Sequence, residues 1–410
     1  MGAAGAVFTW LSGGWTLLLL LLLPVRVPSP VIASTVGLFE VALVILAVRE
    51  LAYRRRSHVL RIRSSVTIPV SVFFALAAAS TIWSADVTQS VRALIQLGEV
   101  ILAVVLTRAW AIRTGRARVL AGFVGLGLAG AFVAVVWRVL VGAGDTWLFQ
   151  ALEDAGRIRS SEVRLGSPLW GSSSYFASML LLFLFSACDR SVRPWLRRVA
   201  VTVCGAAMVL TLSRGAILSV AMGLLLWVAL NRRAREWLFR NPWRAFAVGA
   251  VVTSAGVFGS SLVSRFMAAR PSLQGLLADE ARVNLFQLAI ELWSRRPVLG
   301  HGFGTWSTLV PPEAATGAHN YVLQLAVELG VVGVLAFCGL YVVLIRAMWR
   351  HSVALAAGAF AVFVNALVEA SLEGVLFSWM FGLFVGIGLS PREQEAGDSA
   401  VTRMDRRVVR

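Results

Sequence analysis

Residues 321–345 read YVLQLAVELGVVGVLAFCGLYVVLI, a run in which Glu328 is the only charged residue. A helix needs about 20 apolar residues to cross the hydrocarbon core of a bilayer, so this run is long enough to span. Working outward, comparable runs occur at 7–24, 31–48, 66–83, 91–107, 118–140, 168–186, 198–212, 216–230, 245–262, 353–370 and 375–390. The expected fold is all-α: a polytopic membrane protein of about twelve transmembrane helices. Residues 1–410 would form a single membrane domain. A large extracytoplasmic loop at 263–320 would bear short helices, and 391–410 would be a polar cytoplasmic tail.

Composition points the same way. The chain is 58% hydrophobic and only 14% charged, against about 25% charged in soluble domains. It cannot cover itself with polar groups, so lipid is its expected solvent. The net charge is +17, and all 38 basic residues are arginine. In a soluble protein that excess would suggest nucleic acid. Here the positive-inside rule accounts for it, and no nucleic-acid partner is expected. Leu17–Leu23 has the look of a signal-peptide core. No positive residue precedes it and no small-residue cleavage pattern follows, so a retained first helix is expected.

The arginines sort by side. Segments 49–65, 108–118, 189–198, 231–244, 346–350 and 391–410 hold 26 of the 38 and alternate with the other connections at every crossing. They mark the cytoplasmic side, with both termini inside. The other twelve, which include Arg92, Arg164, Arg214, Arg282, Arg295 and Arg296, fall on or near the outer face, where topology does not call for them. An anionic ligand would explain them. Guanidinium groups clamp phosphate oxygens in bidentate fashion, so several on one face could hold a diphosphate without a metal. For any one of them, pairing with solvent or headgroups is the safer reading.

Particular residues sharpen this. Arg214 lies between two apolar runs, where a charge is costly unless it snorkels, pairs or lines a wet cavity; Gly215 beside it permits close approach. His319 stands where the large loop re-enters the membrane. It could take a proton from an attacking hydroxyl, or merely cap the helix. Asn320 suits an N-cap or an orienter of the imidazole. Asp279–Arg295 reads as a helix, with Leu285, Leu288, Ala289 and Leu292 at helical spacing and Pro297 beyond its end. The run from Gly300 to Trp306 is a glycine-rich, flexible outer turn. It is not a nucleotide loop, because no strand precedes it and the Walker lysine is absent. His301 within it could contact ligand or be structural. Cys188, Cys204 and Cys338 read as small apolar residues, with no disulfide or zinc pattern. Glu40, Glu99, Glu328 and Glu369 are scattered acids without the pairing of ion-coupled transporters, and no metal site is expected.

Taken in order, several of these elements resemble the signature of the O-antigen ligase and Wzy-type polymerase superfamily. They are Trp83-Ser84-Ala85-Asp86 with Arg92 after it, Ser213-Arg214-Gly215-Ala216, Arg282, the run from Arg296-Pro297 to Gly302, and His319-Asn320 followed by Glu328, Gly330 and Gly333. A departure is the turn after Arg164, Gly166 to Ser174, which lacks the asparagine-rich N-P-N of many members. The resemblance implies metal-independent, cofactor-free transfer of a glycan from an undecaprenyl-diphosphate-type lipid donor to a glycan, lipid or protein acceptor. Transfer would take place on the outer face of the cell membrane. It implies that Arg214 and Arg282 bind the diphosphate, with Arg164 and Arg92 assisting, and that His319 activates the acceptor hydroxyl. The alternative is a transporter or flippase for a lipid-linked anion, which would also suit an arginine-lined cavity.

Overall fold

The computed structural model describes residues 26–28, 35–37, 64–142, 173–211, 213–232, 235–236, 273–311, 317–369 and 371–391. Arg164 and the expected spans at 7–24 and 245–262 lie outside them, as does the tail beyond residue 391. Apart from one small ribbon, the described regular structure is helical. The ribbon pairs β1 (Arg26–Pro28) antiparallel with β2 (Thr35–Gly37). It corrects the expected span at 31–48, at least over residues 35–37. Thr35-Val36 is β-branched and favours a strand.

The helices are α1 (Ser64–Ala79), followed by a 3-10 turn at Ser80–Trp83, α2 (Val87–Thr114), α3 (Arg116–Gly142), α4 (Ser173–Ala187), α5 (Pro194–Leu210) and α6 (Arg214–Leu230). Then come α7 (Leu273–Arg295), the single turn α8 (Trp306–Leu309), α9 (Tyr321–Trp349), α10 (Val353–Ala366), a 3-10 turn at Ser371–Glu373, and α11 (Val375–Gly388). Among the described residues four helices are long and apolar enough to cross a membrane: Ser65–Trp83, Val87–Thr114, Arg116–Val136 and Tyr321–Trp349. Shorter apolar helices lie at Ser174–Ala187, Gly215–Leu230, Val353–Ala366 and Val375–Gly388. Each overlaps an expected span, and α5 overlaps the one expected at 198–212; the spans expected at 7–24 and 245–262 and most of 31–48 lie outside the described residues. Large apolar side chains such as Ile68, Leu225, Leu335 and Val342 face outward, as a lipid solvent permits.

Capping sets the helix starts. Asp86, Ser213, Asn320 and Ser352 each accept a hydrogen bond from the backbone N–H three residues on. Helix α2 packs along α11, α6 along α10, and α9 against both α1 and α10. The largest core cluster joins Phe123, Phe183, Phe337, Tyr341, Phe381 and Phe384.

The two ends of the bundle differ in chemistry. At one end Arg116 Nη2 lies 2.8 Å from Asp189 Oδ2, with both side chains buried. Arg116 Nη1 donates to His351 O at 3.1 Å, and Ser352 Oγ also donates to Asp189. One buried ion pair thus ties together the connections expected on the cytoplasmic side. The opposite end gathers Trp83–Asp86, Ser213–Gly215, residues 297–311 and 317–319, and residues 368–369 and 371–374.

That second end is organised by a break in α9. Gly330 has φ 67° and ψ −169°, which interrupts the helix. The backbone groups released there are taken by the segment after Pro297. His301 N donates to Val327 O at 3.0 Å, Gly302 N donates to Glu328 O at 2.8 Å, and Val331 N donates to Pro297 O at 2.9 Å. The chains approach so closely that a Cβ on Gly330 would lie 2.1 Å from Val298 O, and one on Gly300 would lie 2.3 Å from Glu328 O. This corrects the reading of residues 300–306 as a flexible turn: the glycines permit tight docking rather than mobility.

Replacing Gly330 with Ala forces a side chain into that contact at a positive φ. The G330A variant is expected to lose about 2 kcal/mol or more, read as a lower unfolding midpoint in detergent. An unchanged midpoint would mean the break is not fixed by this contact.

Candidate active site

The site is built from the first half of α9 outward. Glu328 is buried, and its carboxylate accepts from Gly304 N at 2.8 Å and Trp306 N at 3.3 Å, with Gln324 Nε2 donating at 3.2 Å. It therefore anchors the glycine loop to the helix. Trp83–Ala85 docks on the same loop. Trp83 Nε1 donates to Leu299 O at 3.2 Å, Ala85 N donates to His301 O at 2.8 Å, and Arg296 Nη1 donates to Trp83 O at 3.4 Å. Phe303 N donates to Ser80 Oγ at 3.0 Å. Asp86 caps α2, accepting from Gln89 N at 3.1 Å.

Helix α7 begins six residues before the expected Asp279 and ends at Arg295, as Pro297 suggests. Its apolar face, Ala289 and Leu292 with Leu285 and Leu288, packs on Trp306, Ala318 and Val327 in a small second core. Burial of Ala318 fixes the turn that carries His319. Gly317 takes φ 106°, and His319 takes φ 50°, a left-handed conformation unusual for a residue with a side chain. Such strain is retained where the surroundings dictate it, and it is commonest at functional positions.

Asn320 rather than His319 caps α9, accepting from Leu323 N at 2.9 Å. The imidazole is left for other work. It is about one-third exposed, and its Nδ1 lies 3.4 Å from Glu369 Oε2, on a side chain only 8% exposed. Glu369 also meets α6: a Cβ on Gly215 would sit 3.4 Å from Glu369 Cγ and 2.9 Å from Val368 Cγ2. The backbone at Arg214-Gly215 and the ring of His319 thus converge on one carboxylate. Arg214 and Arg282 are described here by backbone alone, as first residue of α6 and as a position within α7.

His301 is buried, and its Nε2 faces Leu292 O at 3.0 Å; here it fastens the loop to the end of α7. Arg295 pairs with Glu291 on its own helix at 2.6 Å. With Arg296 on Trp83, two of the outer arginines thus have partners within the protein. Arg92 lines a cavity of about 1060 Å³ enclosed by α1, α2, α9 and α11. The cavity's polar end carries Gln89, Arg92, Gln96, Ser307, Gln324 and Glu373, and its walls run through Phe74, Ile101, Leu340 and Phe381 to Val385 and Leu389. Gln89 to Val105 along α2 corresponds to about 24 Å of helix.

Glu369 and Glu373 were not singled out from sequence as site residues. Glu369 read as a scattered acid because its partner lies fifty positions away. Burial pushes the Glu373 carboxyl from 4.5 up to about 7, against the opposing pull of Gln324 and His319. Among the described residues no cluster of three or more metal-ligating side chains occurs.

The family model described as O-antigen ligase (Wzy_C) matches residues 199–338. Over this segment the chain is similar to the O-antigen ligase family. The match covers about a third of the chain and includes Arg214, Arg282, His301, His319, Asn320 and Glu328. Arg92, Glu369 and Glu373 lie outside it. No curated protein matches the chain. The similarity points to O-antigen ligase-like glycan transfer, and the apolar helices point to a membrane setting.

The Glu373 carboxyl yields a prediction on stability. In the unfolded chain it ionises near 4.5, whereas in the fold it keeps its proton up to about 7. Between those values the folded state binds the extra proton, so this group's contribution falls as pH rises through the window. Glu373→Gln is expected to remove that decline and to raise the unfolding midpoint above wild type at pH 8. Parallel midpoint-versus-pH curves for the two proteins would refute this.

Proposed function

We propose that the protein transfers a glycan from a polyprenyl-diphosphate lipid to an acceptor hydroxyl on the extracytoplasmic face, with both termini in the cytoplasm. The observation that carries this reading is the convergence of His319 and the Arg214-Gly215 helix start on Glu369, inside and beside the family-matched segment. In the reaction, His319 Nε2 accepts the proton of the acceptor hydroxyl as its oxygen bonds to the anomeric carbon. The bond from that carbon to the phosphate oxygen breaks, and the polyprenyl diphosphate leaves with the electron pair. Arg214 and Arg282, with Arg164 and Arg92 assisting, stabilise the developing charge, which is commonly the largest catalytic term. The activated donor supplies the free energy, so no nucleotide is required.

The cavity supports a lipid donor. Its apolar walls suit a hydrocarbon chain, and Arg92 at its polar end suits a phosphate. A ligase and a polymerase would share this machinery and differ in the acceptor. A flippase would need the arginines but not the base.

With purified lipid-linked donor and candidate acceptors, His319→Ala is expected to lower transfer by about 10²–10⁴-fold, while lipid binding persists. Arg214→Ala should weaken both. Product at the wild-type rate from the His319 variant would overturn the role of His319 as base and favour transport.

A further inference from the structure

We infer that Glu369 is a positioning residue for His319, fixing the imidazole with its proton on Nδ1 and its lone pair on Nε2. The inference rests on the reading of His319 as the base and adds a residue outside the family-matched segment. Its warrant is geometric. The contact runs from Nδ1 to Glu369 Oε2 at 3.4 Å, and among the described residues it is the contact that engages the ring, which leaves Nε2 as the nitrogen turned to other use. A carboxylate is acceptor-only when ionised, so the contact is a hydrogen bond only if Nδ1 is the donor. A neutral imidazole protonated at Nδ1 presents Nε2 as its acceptor, which is the form a general base requires.

The carboxylate is itself held. Glu369 is buried, and its backbone N–H donates to Asn365 O at 2.8 Å, continuing the turn that ends α10. Gly215 leaves room for it: a Cβ there would press on Val368 and Glu369. The ring is constrained from the other side by the left-handed backbone of His319 and by the Asn320 cap. Other groups facing this pair are Glu373 in the following 3-10 turn, whose charge acts on His319, and Tyr175 of α4, on which both acids act. Arg214 directly precedes Gly215. When the acceptor's proton arrives on Nε2, the ring becomes a cation with a carboxylate already on its other nitrogen. The arrangement therefore serves both states of the base.

The test combines kinetics with a signature of the ring. Full-length protein with ¹⁵N-labelled histidine contains four such residues, His58, His301, His319 and His351, and the His319 resonance is assigned by its loss in the His319→Ala variant. In wild type its ¹⁵N shifts should report protonation at Nδ1. In Glu369→Ala they should move to the Nε2-protonated form, and turnover should fall by about 10–100-fold with the KM for lipid-linked donor little changed. Glu369→Asp should recover part of both, which separates positioning from misfolding. Unchanged ¹⁵N shifts in Glu369→Ala, or an Nε2-protonated ring in wild type, would overturn the assignment of Glu369. A fully active His319→Ala variant alongside a tautomer switch would instead overturn the base and leave the positioning intact.

Discussion

A helix broken in an apolar setting is stable only if its released backbone groups find partners, and that constraint shapes one end of this molecule. An unsatisfied peptide N–H or C=O costs several kcal/mol in lipid. The break at Gly330 releases such groups around Val327, Glu328 and Val331, and the segment from Pro297 to Gly302 satisfies them. The glycines at 300 and 330 allow two backbones to lie closer than any side chain would permit. The strap then becomes a platform. Trp83 and Ala85 bond to it, Glu328 secures its far side through Gly304 and Trp306, and His301 ties it to the end of α7.

The position of His319 follows from that platform. The first half of α9 takes its direction from the break, and it carries the Asn320 cap, Gln324 and Glu328 on successive turns. Helix α7 closes over it through Leu292 and Ala289, burying Ala318 next to the histidine. The imidazole sits on a strained backbone between two rigid supports, and it turns to a carboxylate delivered by α10. The candidate site thus draws on parts far apart in sequence, and Glu369 lies outside the family-matched third of the chain.

The helical character, helices at nine of the expected span positions, four of them long and apolar enough to cross a membrane, and the helix before Pro297 were legible in the sequence because hydrophobic runs and helical periodicity are local signals. The β1–β2 pairing was not, since three-residue strands give too short a pattern to compete with an apolar run. Glycines 300, 302 and 304 were legible as a special backbone but not as a docked one. A glycine signals permission for a conformation, and only its neighbours decide whether that means freedom or contact. His319 and Asn320 stood out by position, whereas the split of roles between them, one capping and one facing Glu369, needed coordinates. Glu369 and Glu373 were opaque for the reason that Arg295 and Arg296 were misleading: sequence shows a charge but not its partner.

The acids around His319 bear on how such a site could hold a diphosphate at all. A carboxylate near a phosphate raises the free energy of binding unless it is neutral or already paired, because charges interact strongly where water is scarce. Each acid here meets that condition differently. Glu328 directs its oxygens at two backbone amides and Gln324. Glu369 faces an imidazole that becomes cationic as the proposed reaction proceeds. Glu373, at the polar end of the cavity with Arg92, is held protonated up to about 7 by its burial. Near neutrality Glu373 therefore adds little negative charge beside Arg92 at the cavity's polar end. In the proposed reaction Arg92 can act on an anion there because the acid beside it is kept neutral by its burial.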